Sequence, residues 1–217
     1  DTSTSANSLG VQTDGSLIIS GNYSGGNDQI YLLKLDDEGN QMDFGNFLHG
    51  FEYDLSDVEG AYCSFILPDN KILIAGNYFN GVYFYPFVMR LLPDGTLDEE
   101  FSDDGIYTDE SSALGVSNIA VYRTGDTYNI VVCGGDQINN WPELIMLGED
   151  GELVSSFGTG GVVMETAVNA LFYDIAIDNE NSCLYACGYT TELAGTVIAK
   201  YDLTDGSPVT DFGICGG

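Results

Sequence analysis

A repeat of about 55 residues runs through the chain, and this feature constrains its fold most strongly. Each copy contains a turn, an apolar run and a glycine that is expected to end the strand, and the four glycines recur at intervals of 55, 58 and 54. They are Gly21, Gly76, Gly134 and Gly188. A fixed period of this size is typical of an array of one supersecondary unit, in which every unit packs against its neighbours. The chain is therefore expected to contain four similar units.

Two further markers keep the same period. In each copy a second apolar run ends in an acidic turn closed by a glycine, and a phenylalanine follows five or six residues later. The glycines are Gly39, Gly95, Gly151 and Gly206, and the phenylalanines are Phe44, Phe101, Phe157 and Phe212. The markers predict one repeat domain over 1–217, with units at approximately 1–50, 51–112, 113–166 and 167–217.

The apolar runs have the length and composition of β-strands. They are four to seven residues long, rich in Val, Ile, Leu and Tyr, and bounded by Asp-Gly or Asn turns. The runs 72–75 and 130–133 are continuously apolar, which is expected of strands covered on both faces. We count about four strands in each unit. The sequence therefore predicts an all-β, β-propeller-like fold.

Two stretches resemble a known repeat family. RLLPDGTLDEEFSDDGIY (90–107) and LGEDGELVSSFGTGGVV (147–163) each follow a strand with a glycine near its end, and they resemble the delta-60 repeat. This is a propeller-type repeat of large secreted and cell-surface proteins, especially in Bacteroidetes. The resemblance implies a repeat architecture and export, and it brings no catalytic residues to carry over.

The two ends of the sequence fit one another. The segment 1–10 matches the strand region that follows Gly160 and Gly161, whereas the fourth copy ends at Gly216 and Gly217 before its own version of that region. Residues 1–10 are therefore expected to complete the last unit, either that of their own chain or that of a neighbouring molecule. The second arrangement would join molecules head to tail.

Composition excludes several classes of partner. The chain carries 34 Asp and Glu against 5 Lys and Arg, a formal net charge of −29. Nucleic acids and anionic membranes are bound by clustered cations, so neither is expected as a partner. The longest apolar stretch, near 82–92, is too short for a membrane helix. An acidic chain of this kind suits a secreted or extracellular, cell-surface location, where salt screens its self-repulsion.

Few residues are candidates for chemistry. His49 is the single histidine, which removes most histidine-based triads and metal sites, so we expect no catalytic residues, no metal and no cofactor. Three of the five basic residues, Lys34, Arg90 and Lys200, occupy one repeat position and are expected to pair with turn carboxylates. The candidates for disulfide bonds are Cys63, Cys133, Cys183, Cys187 and Cys215. The spacing of Cys183 and Cys187 is too long for a bond within one strand, and the other pairings stay open.

The remaining candidate is an aromatic surface. Loops near 24–28, 79–86, 136–142 and 190–195 are expected on one rim, with aromatic residues among amides and carboxylates. The candidate ligand-binding residues are Tyr23, Tyr78, Tyr83, Tyr85, Trp141 and Tyr189. Flat aromatic rings beside such groups suit carbohydrate or protein ligands, although tyrosines that merely cap each unit are an alternative. The predicted function is a non-enzymatic binding or adhesion module. The alternative is a structural subunit of an extracellular filament joined by strand donation, and an enzyme ranks third.

Overall fold

The computed structural model describes residues 3–24, 28–45, 51–53, 59–190 and 195–212. The regular elements within these ranges are all β-strands, and the strands form four antiparallel sheets. The all-β prediction is confirmed, and sheets of three or four antiparallel strands are the kind that form β-propeller blades. The described residues contain no helix that could span a membrane.

The strands of each sheet follow one another in chain order. Sheet 1 contains β1 (Ser3–Val11), β2 (Leu17–Ser24), β3 (Asp28–Leu35) and β4 (Phe51–Tyr53). Sheet 2 contains β5 (Glu59–Ile66), β6 (Ile72–Phe79), β7 (Phe84–Leu91) and β8 (Ile106–Thr108). Sheet 3 contains β9 (Leu114–Thr124), β10 (Thr127–Asp136), β11 (Pro142–Leu147) and β12 (Val162–Met164). Sheet 4 contains β13 (Ala170–Asp178), β14 (Cys183–Thr190) and β15 (Gly195–Asp202).

The chain divides into two compact units, Asp1–Ser111 with sheets 1 and 2 and Ser112–Gly217 with sheets 3 and 4. Each unit has its own apolar core between its two sheets. In the first unit, Ile18 and Leu32 of sheet 1 pack with Ile72 and Met89 of sheet 2. The core of the second unit includes Val131, Cys133 and Leu144 of sheet 3 and Phe172, Leu184 and Tyr201 of sheet 4. The prediction that residues 72–75 are covered on both faces is confirmed, since all four are 0% exposed.

The four recurring glycines have a common structural cause. The first strand of every sheet contains a bulge of one residue, and the glycine of the second strand lies beside it. The bulged residues are Asn7, Tyr62, Ser117 and Tyr173. A Cβ atom on Gly76 would collide with the backbone carbonyl of Gly60, and the other three glycines face the same kind of contact. These glycines lie inside the strands and do not end them, so that part of the prediction was wrong.

The recurring Phe-Gly and Asp-Gly pairs join successive sheets of each unit. The amide of Gly45 donates a hydrogen bond to the Asp94 carbonyl at 2.6 Å, and the amide of Gly158 donates to the Asp205 carbonyl at 2.7 Å. Gly95, beside Asp94, has a φ of +90°, and a Cβ there would meet the Phe44 ring at 2.8 Å. Glycine is needed at this turn for both its left-handed backbone and the close approach of the ring.

The structure gives residues 3–11 a different place from the predicted one. They form β1, which pairs with β2 along its length in sheet 1, and they do not belong to sheet 4. The match to the region after Gly161 explains the error, because that region contains both β12 and β13. The pairing of Ala6 with Gly21 corresponds to the pairing of Phe172 with Gly188, so β1 is the counterpart of β13, a first strand.

One repeated basic residue forms a buried ion pair, as predicted. Arg90 Nε lies 2.7 Å from Asp98 Oδ2, and both side chains are almost fully buried. Lys71 Nζ lies 2.9 Å from the same oxygen, and the guanidinium of Arg90 also stands over the Phe101 ring. Burial opposes ionisation of Asp98, but the hydrogen bonds from Lys71 and Arg90 outweigh it and lower the pKa of this carboxyl. Lys200 instead stands over the Tyr185 ring, 5.2 Å from its centre.

Candidate binding surface

Five aromatic residues meet at the end of the β6–β7 hairpin, which we call the aromatic tip. They are Tyr78, Phe79, Tyr83, Phe84 and Tyr85. Tyr78 lies opposite Tyr85 and Phe79 opposite Phe84 in the strand register, so the two pairs occupy opposite faces of the hairpin. Their ring centres are 6.0 Å and 5.0 Å apart, and Tyr83 stands edge-on to Tyr85 at 6.4 Å. Aromatic pairs of this kind stabilise a hairpin beyond its backbone hydrogen bonds.

The turn of the aromatic tip is ordered by one side chain. The side-chain oxygen Oδ1 of Asn80 accepts hydrogen bonds from the backbone amides of Val82 and Tyr83, at 3.1 and 3.2 Å. Gly81 supplies a φ of +96°, which an L-residue rarely adopts. The loop is therefore only residues 80–83, shorter than the predicted 79–86, because the aromatic pairs extend both strands.

The aromatic tip exposes apolar surface to solvent. Val82 is 67% exposed, Tyr83 49% and Phe84 37%. Large apolar side chains grouped at one exposed place are typical of interaction sites, whereas scattered ones need no explanation. Tyr78 and Tyr85 lie deeper and support the exposed rings from below.

Carboxylates lie at the base of the aromatic tip. The Tyr78 hydroxyl donates a hydrogen bond to Glu110 Oε1 at 3.3 Å, and the Tyr107 hydroxyl donates to Asp109 Oδ2 at 3.3 Å. Burial, and then the negative charge of Glu110, raise the pKa of Tyr78. The site thus combines flat rings with hydroxyl and carboxylate groups that can bind polar atoms of a ligand.

The other predicted binding residues are not part of the aromatic tip. Tyr23 is half-buried near the end of β2, opposite Gln29. Trp141 is half-buried and its carbonyl accepts a hydrogen bond from the Asp136 amide at 2.8 Å. Tyr189 is 40% exposed, and it follows Gly188 directly, whereas Tyr78 follows its glycine by two residues. Neighbouring residues of a strand point to opposite faces, so Tyr189 does not occupy the repeat position of Tyr78.

Sequence reasoning missed a cleft in the second unit. A cleft of about 240 Å³ lies near the turn after β10 and is lined by Gly115, Ser117, Gly135, Gln137, Asn140 and Leu171. The Asp136 carboxylate orders this turn by accepting hydrogen bonds from the amides of Ile138 and Asn139. Two adjacent glycines followed by amide side chains were the available signal in the sequence. The cleft is small and open, and we assign it no role.

No disulfide bond joins any two cysteines of the described residues. Cys63, Cys133 and Cys183 are buried and Cys187 is exposed. A disulfide bond that involves Cys215 stays a prediction. Burial raises the pKa of the Cys63 thiol to about 12. Cys215 and His49 lie outside the described residues.

The described ranges contain no group of three or more His, Cys, Asp or Glu side chains that could hold a metal ion. Their carboxylates mostly serve the turns instead. For example, the Asp36 carboxylate accepts hydrogen bonds from the amide and side chain of Asn40, and these bonds lower the pKa of Asp36. Asp94 is held in the same way by Thr96.

One protein family matches part of the chain. Its description is "Domain of unknown function (DUF5122) beta-propeller", and the match covers residues 67–101. These residues include β6, β7, the Asp94-Gly95 turn and Phe101, and they overlap one of the stretches that resemble the delta-60 repeat. The match supports a β-propeller-type repeat. No protein with a curated description matches the chain.

Proposed function

We propose that this protein is a non-enzymatic binding or adhesion module of a secreted or cell-surface protein, and that the aromatic tip contacts its ligand. The observation that carries the proposal is the exposure of Val82, Tyr83 and Phe84 on a hairpin whose turn and strands are well ordered. Ordered aromatic groups lose little side-chain entropy on binding, so they make effective anchors.

The chemistry of the aromatic tip suits a carbohydrate or a protein surface. Sugar rings stack on flat aromatic faces, and the carboxylates of Asp109 and Glu110 can accept hydrogen bonds from sugar hydroxyls. A protein ligand would instead bury Val82 and the two exposed rings in an apolar pocket. The net charge of −29 argues against phosphate-rich partners in both cases.

The test of binding uses variants of the exposed rings. Immobilised glycans and surface proteins of cells are screened with the purified chain, and hits are repeated with Tyr83→Ala and Phe84→Ala. Each variant is expected to weaken binding by about 2 kcal/mol, the usual loss for an aromatic anchor, which is roughly thirtyfold in Kd. Tyr173→Ala is the matched control, because Tyr173 is about as exposed as Tyr83, at 54% against 49%, but lies on β13.

Binding that survives both tip variants, or that is lost equally in the control, would refute the role of the aromatic tip. Location is tested separately, by antibody labelling of intact source cells and of their culture medium. A labelled product found only after cell lysis would contradict the surface location. A screen for hydrolytic turnover tests the non-enzymatic part of the proposal, since activity abolished by changing one carboxylate would overturn it.

A structural role in an extracellular assembly is the second candidate. It is favoured by the exposed apolar faces of sheets 1 and 4, whose detailed arrangement leads to the inference that follows.

A further inference from the structure

Each sheet has two distinct faces, which we name by their partners. Within each unit, the leading face of the first sheet packs on the trailing face of the second sheet, and the same names are used for the equivalent faces of the other sheets. In the first unit, Ile18 and Leu32 belong to the leading face of sheet 1, and Ile72 and Met89 belong to the trailing face of sheet 2. In the second unit, the leading face of sheet 3 packs on the trailing face of sheet 4 in the same way.

The trailing face of sheet 1 is apolar and has no preceding sheet among the described residues. It includes Ala6, Leu9, Val11, Leu17, Ile19, Tyr31, Leu33 and Leu35. Leu9 and Val11 are 62% and 59% exposed. Their counterparts on sheet 4 by strand register are Ile175 and Ile177, which pack in the core of the second unit. The composition of this face is therefore that of a covered face.

The leading face of sheet 4 is the complementary case. It includes Tyr185, Cys187, Ile198 and Lys200, which correspond in register to Val131, Cys133, Leu144 and Met146 of sheet 3. The four residues of sheet 3 are all 0% exposed, whereas Ile198 is 42% exposed and Cys187 is also exposed. This face therefore has the side chains of an interface, and no sheet among the described residues covers it.

The turns at these two faces match as well. Within each unit a Phe-Gly pair of one sheet docks on the Asp-Gly turn of the next sheet, as Phe157 does on Gly206. The corresponding turn of sheet 1 ends at Gly39, which has a φ of +86° and no atom within 4 Å of its Cβ position. Phe212 of sheet 4 is the corresponding phenylalanine, and its ring packs edge-on to Tyr185 at 5.4 Å.

Charge is complementary at the same place. In the first unit, hydrogen bonds from Thr96 and, more weakly, the charge of Lys34 lower the pKa of Asp94 on the turn of the next sheet. Lys200 occupies the repeat position of Lys34, and Glu38 occupies that of Asp94. A sheet 4 stacked on a sheet 1 would bring these opposite charges together.

We propose that two copies of this chain associate head to tail, with the leading face of sheet 4 in one molecule packed on the trailing face of sheet 1 in the other. Every molecule carries one face of each kind, so the contact is heterologous and builds a ring or a filament. The sheets pack face to face, and no strand is exchanged. Because the contact is apolar while each molecule carries many negative charges, salt strengthens it.

The first test measures molar mass by light scattering at increasing protein and salt concentration. The molar mass of the parent chain is expected to rise with protein concentration and with salt concentration. Leu9→Asp and Ile198→Asp each bury a charge in the contact and are expected to weaken association more than tenfold. Ile138→Asp is the matched control, because Ile138 is 59% exposed but lies in the turn after β10. It should associate like the parent.

A mixture of the two defective variants distinguishes this contact from others. Leu9→Asp keeps an intact sheet 4 face and Ile198→Asp keeps an intact sheet 1 face, so the mixture should form one-to-one dimers and nothing larger. A symmetric contact would not be restored by mixing. Restoration also shows that both variants are folded.

A crosslinking experiment identifies which sheets meet. Ile19→Cys is introduced in a Cys215→Ser background, and its thiol is linked to the exposed Cys187 by a reagent about 10 Å long, the usual spacing of packed sheets. Dimers and larger ladders support the proposal. A chain that stays monomeric at all concentrations, or that gives only an internal link between these two thiols, would overturn it. None of these outcomes depends on ligand binding by the aromatic tip.

Discussion

Replacing Gly76 by alanine gives a sharp test of the bulge described in every sheet. The added Cβ would collide with the Gly60 carbonyl oxygen and would lie only 3.0 Å from Cε1 of Phe87. The obstacle is backbone, so no side-chain rotation can relieve it. The strands β5 and β6 must separate locally, or the bulge at Tyr62 must change shape.

The expected cost follows from what the separation removes. Opening the strand pair at this point breaks about two backbone hydrogen bonds, worth about 1 kcal/mol each. Repacking of an overfilled core adds about 1–3 kcal/mol. The free energy of unfolding should fall by about 3–5 kcal/mol, and a chain of this size then loses roughly 6–20 °C in Tm.

Gly60→Ala provides the matched control within the same strand pair. The three atoms nearest to its added Cβ would be side-chain atoms of Asn22 and Tyr62, at 3.2 Å. These side chains can move by a few tenths of an ångström. The loss of glycine also stabilises the folded state by about 0.4–1 kcal/mol, because it lowers the conformational entropy of the unfolded chain. Its free energy of unfolding should change by less than about 1 kcal/mol. Both variants are measured by thermal unfolding followed by circular dichroism. If Gly76→Ala cost no more than Gly60→Ala, the steric account of the recurring glycines would be refuted.

Three further predictions address the ion pair, the thiols and the turns. Asp98→Asn removes the carboxylate that faces the buried Arg90 and should cost about 3–5 kcal/mol near neutral pH. Because the folded-state pKa of Asp98 is lowered, its contribution is present above about pH 4 and is lost as the pH falls further, so the stability curves of parent and variant should converge in acid. Cys63, whose thiol pKa is raised to about 12, should resist alkylation at mildly alkaline pH while the exposed Cys187 reacts, as read by peptide mass spectrometry. Phe157→Ala should cost about 3–5 kcal/mol in urea unfolding, because the ring is fully buried at 0% exposure.

The repeat period was sufficient to predict the sheets, because it is marked by residues with strict local requirements. Gly95 and Gly206 have positive φ at turns, and these positions tolerate few other residues. The bulges could not be predicted, since no one residue type occupies the bulged positions, which are Asn7, Tyr62, Ser117 and Tyr173. Only the glycine beside each bulge recurs, and this glycine was interpreted as the end of its strand.

The strand ends at the aromatic tip were also not predictable from the sequence. The sequence revealed the aromatic residues, but residues 79–86 were predicted to form a loop. The structure continues both strands because Phe79 and Phe84 face each other across the hairpin, a pairing that depends on register. Register is set jointly by the turn and by both strands, so a single run of letters does not reveal it.

The strict chain order of the strands also determines how the molecule can fold. Every strand pairs with the strand that directly precedes or follows it. Most side-chain hydrogen bonds that join sheets within a unit span about one repeat, for example 56 residues between Ser8 and Ser64. Proteins with such local contacts do not have to wait for the far end of the chain. Sheets 1 and 2 can therefore complete their shared core while the residues of the second unit are still being synthesised.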